Sequence, residues 1–116
     1  RVGFLPFGAV FTYRWYPDSE RWDHYGTNFS PRVGRTDDPI QLGVTYMVKG
    51  QVETLPDDSR VYRMRVWERG TTEPSDWLYE IPHGAGTGLS EGSLLLFSNH
   101  VDASFGNVSV VPIAGP

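Results

Sequence analysis

The chain has 116 residues, no cysteine and a formal net charge of −4. That length suits one domain with a real core. Without a basic block the chain makes a poor partner for nucleic acid, without cysteine it has no disulfide staple, and no apolar run has the length of a membrane span.

Thirteen glycines and nine prolines punctuate apolar runs rather than forming a tract, the pattern of short strands joined by turns. Seven strand candidates follow in chain order. In residues 7–16, Ala9, Phe11, Tyr13 and Trp15 alternate with Val10, Thr12, Arg14 and Tyr16. Pro17, Asp18 and Ser19 then signal a turn. Residues 21–29 form a second, polar candidate, and Pro, Gly and Asp make 30–39 a loop. In residues 44–55, Tyr46, Val48 and Val52 lie on one face, expected to meet the core, with Met47, Lys49, Gln51 and Glu53 on the other. Pro56, Asp57, Asp58 and Ser59 turn the chain into a fourth strand at 60–69. A short strand is expected at 77–81, then a loop with glycines at 84, 86, 88 and 92. Residues 93–98 and 104–113 complete the series. No window holds a helical period, so the expected fold class is all-β: one antiparallel β-sandwich domain over 1–116.

The most informative stretch is 61–77. Tyr62, Met64 and Val66 alternate with Arg63, Arg65 and Trp67, so one face of this strand is apolar and faces a core. The opposite face carries two guanidinium groups and an indole. It is either a binding face or a face covered by another segment.

The run VWERGTTEPSDW (66–77) resembles the V-W-x-x-G-x-x-E-P-x-x-W signature of bacterial extracellular jelly rolls in the concanavalin A-like (laminin-G-like) lectin/glucanase superfamily. Residues 103–113, ASFGNVSVVPI, resemble that family's last strand, often V-x-F-D-D-V-x-V-x-P, with Gly106 and Asn107 where acidic residues are frequent. Gly92 to Phe97 resembles its G-x-V-G-L-x-x-Y strand without the second glycine. The resemblance covers residues 8–113 and implies a jelly roll. It also implies strands ahead of residues 7–16. The chain is then a minimal jelly roll, the C-terminal part of a larger one, or an incomplete sandwich finished by another chain.

The residues do not favour catalysis. Gly88-Leu89-Ser90-Glu91-Gly92 fits G-x-S-x-G in letters, but a nucleophile elbow needs a strand before it and a helix after it. The E-x-D-x-E strand used by glucanases of this superfamily is absent. His100 and Asp102, two apart, form the best metal candidate, ahead of Asp37 and Asp38. No cofactor is expected from the residues themselves. The resemblance leaves calcium open, with Asp102 the nearest ligand.

Aromatic residues, 14% of the chain, are the better lead. Flat rings stack on the C–H faces of sugars while Arg and Gln bond the hydroxyls. Most of the aromatics are expected to pack internally. Trp67, Arg63 and Arg65, with Trp15 as a second contact, form the candidate glycan face. Phe4 and Phe7 are candidates for docking into a neighbouring subunit. The expected function is a non-catalytic, extracellular or cell-surface, lectin-like or carbohydrate-associated module. The rivals are a structural subunit of a surface filament, sheath or adhesin and, third, an accessory part of a glycan-active enzyme. The expected partners are a glycan or neighbouring protein subunits, with the chain in a homo-oligomer or a larger assembly.

Overall fold

The structure is a computed structural model that describes residues 9–14, 21–26, 29–35, 40–84, 94, 96, 98 and 102–113. Among them there is no helix, and so none long and apolar enough to cross a membrane. The described residues form six strands: β1 (Ala9–Arg14), β2 (Arg21–Gly26), β3 (Phe29–Arg35), β4 (Tyr46–Thr54), β5 (Arg60–Glu68) and β6 (Tyr79–His83). They make two three-stranded antiparallel sheets, β1-β2-β3 and β4-β5-β6, an all-β arrangement compatible with a sandwich.

The core joins the two sheets. Phe11 and Tyr13 of β1 share a face with Trp22 of β2, which stands opposite Tyr13. They pack with Met64 and Val66 of β5, Leu78, and Tyr79 and Ile81 of β6. The Tyr79 hydroxyl donates a hydrogen bond to the Trp22 carbonyl, which ties one sheet to the other. Met64, at 2% exposure, is the most deeply buried apolar side chain among the described residues.

β4 and β5 pair as the turn chemistry predicts. Gly50 stands opposite Met64, Val48 opposite Val66 and Val52 opposite Tyr62. Leu55 N–H bonds the Ser59 carbonyl, and Asp58 N–H bonds the Leu55 carbonyl. Pro56 presets the first turn position, and Asp58 takes the left-handed conformation at φ 68°. Asp57 accepts bonds from the amide and the hydroxyl of Ser59.

Bonded pairs alternate along an antiparallel ladder. The carbonyl of Thr45 and the amide of Leu55 both point to the β5 side. Odd-numbered residues of β4 therefore bond β5, and Tyr46, Val48, Gly50, Val52 and Thr54 turn their backbone groups to the outer edge, which has no ladder partner among the described residues. The same count sends the even positions of β6 outward. Pro82, which has no N–H, sits where the ladder asks for none.

Four expectations are corrected. Residues 30–39 were expected to be a loop, but β3 fills Phe29–Arg35. Pro31 falls where the β2–β3 register shifts, on an edge strand, so its missing donor breaks no regular ladder. The strand expected at 77–81 begins two residues later, at Tyr79. The strand expected at 104–113 is not formed: these residues join neither ladder and are exposed. Asn107 there has a φ of 53° and Pro112 lacks an N–H, both contrary to a continuous strand. At 93–98, Leu94, Leu96 and Ser98 lie outside any strand.

The core face also ends sooner than alternation implies. Tyr62 and Met64 are buried and Val66 is half-buried against the core, but Val48 and Val52 are 61% and 53% exposed. The opposing sheet covers β5 and β6 and leaves β4 beyond its edge.

Candidate functional site

The polar face of β4-β5-β6 is built from alternate positions on three adjacent strands. β4 supplies Met47, Lys49, Gln51 and Glu53, β5 supplies Arg63, Arg65 and Trp67, and β6 supplies Glu80. The segment 69–78 between β5 and β6 returns across part of this face.

Arg63 lies between two carboxylates. Its Nε donates to Glu80 at 2.6 Å and one terminal nitrogen donates to Glu53 at 2.9 Å. Glu80 is the direct cross-strand neighbour and Glu53 the diagonal one. The bonds to Glu80 and then Glu53 hold the guanidinium pKa above its ordinary value. The Arg63 side chain is left only 16% exposed.

Arg65 is held differently. It stands directly opposite Lys49, a like-charge pair that would repel if left alone. Glu73 resolves the repulsion. One of its oxygens accepts from Lys49 Nζ at 2.7 Å and from Arg65 at 2.5 Å. These two bonds hold the Glu73 carboxyl below the usual carboxylate range. Another Arg65 nitrogen donates to the Ser75 carbonyl at 2.8 Å. The guanidinium lies over the Trp77 ring, 4.0 Å from its centroid. Buried against this cover, Arg65 Nε has no hydrogen-bond partner among the described residues.

The motif therefore has a physical reading residue by residue. Val66 packs on the core and Gly70 supplies a turn conformation at φ 92°. Glu73 neutralises Arg65 and Lys49, and Trp77 roofs Arg65. Of the two alternatives for this face, cover by another segment holds at Arg65. Three cations meet three carboxylates here, so the face is not a basic patch.

The structure brings Arg63, Arg65 and Trp67 onto one face, as the alternation requires. Trp67 is half-buried, and Met47 across from it is 42% exposed, so the rim at that end is open. Trp15, Phe4, Phe7, Asp37, Asp38, His100 and the Gly88–Gly92 motif lie outside the described residues. Asp102 is exposed, and among the described residues no group of three His, Cys, Asp or Glu is placed to hold a metal ion.

Sequence reasoning missed the carboxylates that complete the face and a set of buried polar groups. Glu53 was findable by folding the chain about the 56–59 turn, which brings it beside Arg63. Glu80 and Glu73 need the path of the chain after β5. Asp23 is 1% exposed and ion-paired with Arg21 Nε at 3.0 Å. Arg60 is buried opposite His83 and bonds the Asp58 carboxylate at 3.3 Å. His83 is buried against the edge of the Tyr62 ring, and loss of water lowers its pKa.

Comparison with protein-family models, with curated proteins and with solved structures returned no match to this chain.

Proposed function

We propose that this chain is a non-catalytic β-sandwich module that acts outside the cell by presenting its surfaces, with a lectin-like, carbohydrate-associated role for the polar face of β4-β5-β6. The observation that carries this reading is Trp67 at the open rim in one row with Arg63, with the covered Arg65 between them holding the row in place. Ion pairs fix the guanidinium groups before any ligand arrives, so little side-chain entropy remains to be lost on binding. An indole beside them offers a flat surface to a sugar ring. The proposal includes the jelly-roll form of the sandwich and its concanavalin A-like kinship, which rest on the motifs at 66–77, 92–97 and 103–113.

Titration of a glycan panel against the wild type and Trp67→Ala tests the reading. Binding by the wild type and its loss in a folded variant are expected. A wild type that binds no sugar, or a folded variant that binds equally well, overturns it.

One observation favours a second reading, a structural subunit of a surface filament, sheath or adhesin. Val48 and Val52 stand exposed on a strand whose outer edge has no ladder partner among the described residues. Natural sheets commonly blunt such edges.

A further inference from the structure

Among the described residues, two surfaces lack a partner and match each other. The first is β4, an edge strand in the order β4-β5-β6. Its outer edge has no ladder partner among the described residues, and Val48, Gly50 and Val52 direct their N–H and C=O groups there. On the core side of that edge Val48 and Val52 are exposed, and Gly50 between them has nothing within 4 Å of where a Cβ would stand. This side of β4 carries no charge, because Lys49 and Glu53 both lie on the other side.

The second surface is the segment 102–113. It is exposed and outside both ladders, yet it is rich in the residues that strands prefer. Val108, Val110 and Val111 are 54%, 78% and 74% exposed, and Phe105 is 55% exposed. From Ala103 to Ile113 it holds no charged residue. Residues 108–111 carry every N–H and C=O that a short ladder needs, and Pro112 stops it.

We infer that residues 108–111 of one copy add as a strand to the open β4 edge of a second copy. In an extended strand Val108 and Val110 point to the same side. Set beside the uncharged side of β4, one of them stands opposite Gly50, in the gap between Val48 and Val52, and the other stands opposite one of those two valines. Backbone bonds supply the attraction, and the side-chain match sets the register. An uncharged segment suits this edge because no charge on it has to lose water. The two surfaces differ, so each copy gives its tail and receives another. Such a contact is head-to-tail and builds open chains unless its rotation closes a ring. A ladder this short is small against the roughly 1,600 Å² of a standard interface, so assembly depends on concentration.

The inference rests on the subunit reading above and not on the carbohydrate reading. It is tested without sugar, so a protein that binds glycan yet stays monomeric fails this inference alone. Two full-length variants place lysine on exposed sites: Val48→Lys with Val52→Lys blocks the edge, and Val108→Lys with Val110→Lys blocks the tail. Circular dichroism checks that each keeps the wild-type fold. In sedimentation equilibrium the wild-type mass should rise with concentration beyond that of a dimer, or settle at a closed ring. Each variant alone should stay at monomer mass. Their equal mixture should reach twice that mass and go no higher, because it holds one good edge and one good tail. A wild type that stays monomeric into the high micromolar range overturns the inference. So does assembly by either variant alone, or a mixture that stays monomeric.

Discussion

Arg65 stacks on Trp77 at 4.0 Å while Glu73, between them in sequence, binds the same guanidinium from the side. A connecting segment thereby becomes a cover for the sheet that it leaves. The cation lies under an aromatic ring and beside a carboxylate, where water competes least.

That geometry predicts coupling between the two residues. In urea unfolding of Arg65→Met, Trp77→Leu and the double variant, the cycle should return about 1 kcal/mol of interaction. A value indistinguishable from zero would mean that the stacking is incidental.

Glu73 predicts an acid response. Its folded pKa lies below the ordinary glutamate value of 4.5 because Lys49 and Arg65 bond the ionised form. Its contribution is therefore complete above 4.5 and disappears as pH falls through the lower, folded value. Melting curves of the wild type and Glu73→Gln should differ at neutral pH and converge in acid. A gap that stays constant across that range would refute the assignment.

His83 acts in a different window. Burial depresses its folded pKa below 6.5, so the unfolded chain takes up the proton first. The stability linked to neutral His83 is full above 6.5 and falls as pH drops from there towards the folded value. His83→Gln should flatten the slope of melting temperature against pH just below 6.5, and an unchanged slope would count against burial as the cause.

The core boundary makes a paired prediction. Met64 and Val48 share one face of one ladder, but only Met64 is covered. Met64→Ala should cost about 2–5 kcal/mol, whereas Val48→Ala should stay within about 0.5 kcal/mol. Equal losses in chemical denaturation would place the opposing sheet over β4 after all.

The β4–β5 hairpin was legible because its signals are local. Alternation set the faces, and Pro56 to Ser59 set the turn. Which strand of that hairpin is covered was not legible, because it depends on where the Trp22 sheet comes to rest. Residues 104–113 show the same limit from the other side: alternating valines announce a strand, but a ladder needs a partner. β3 was hidden by Pro31 and Gly34, breakers in a central strand that an edge tolerates. At the site, Arg63, Arg65 and Trp67 were readable from period two. Their partners Glu80 and Glu73 lie 17 and 8 residues away along the chain, beyond any local pattern.

The turn between β4 and β5 also bears on engineering. A hairpin tip is the usual place to splice in a tag, graft an epitope or relocate the termini. Here Asp58 reaches from the tip to the buried Arg60 guanidinium, through both its carboxylate and its carbonyl. Opening the chain at that point would take a carboxylate from a cation that is 5% exposed. A cut within Arg69 to Thr72, which is exposed and holds Gly70 in a turn conformation, would strip no buried cation of its carboxylate, though it would open the segment that covers Arg65.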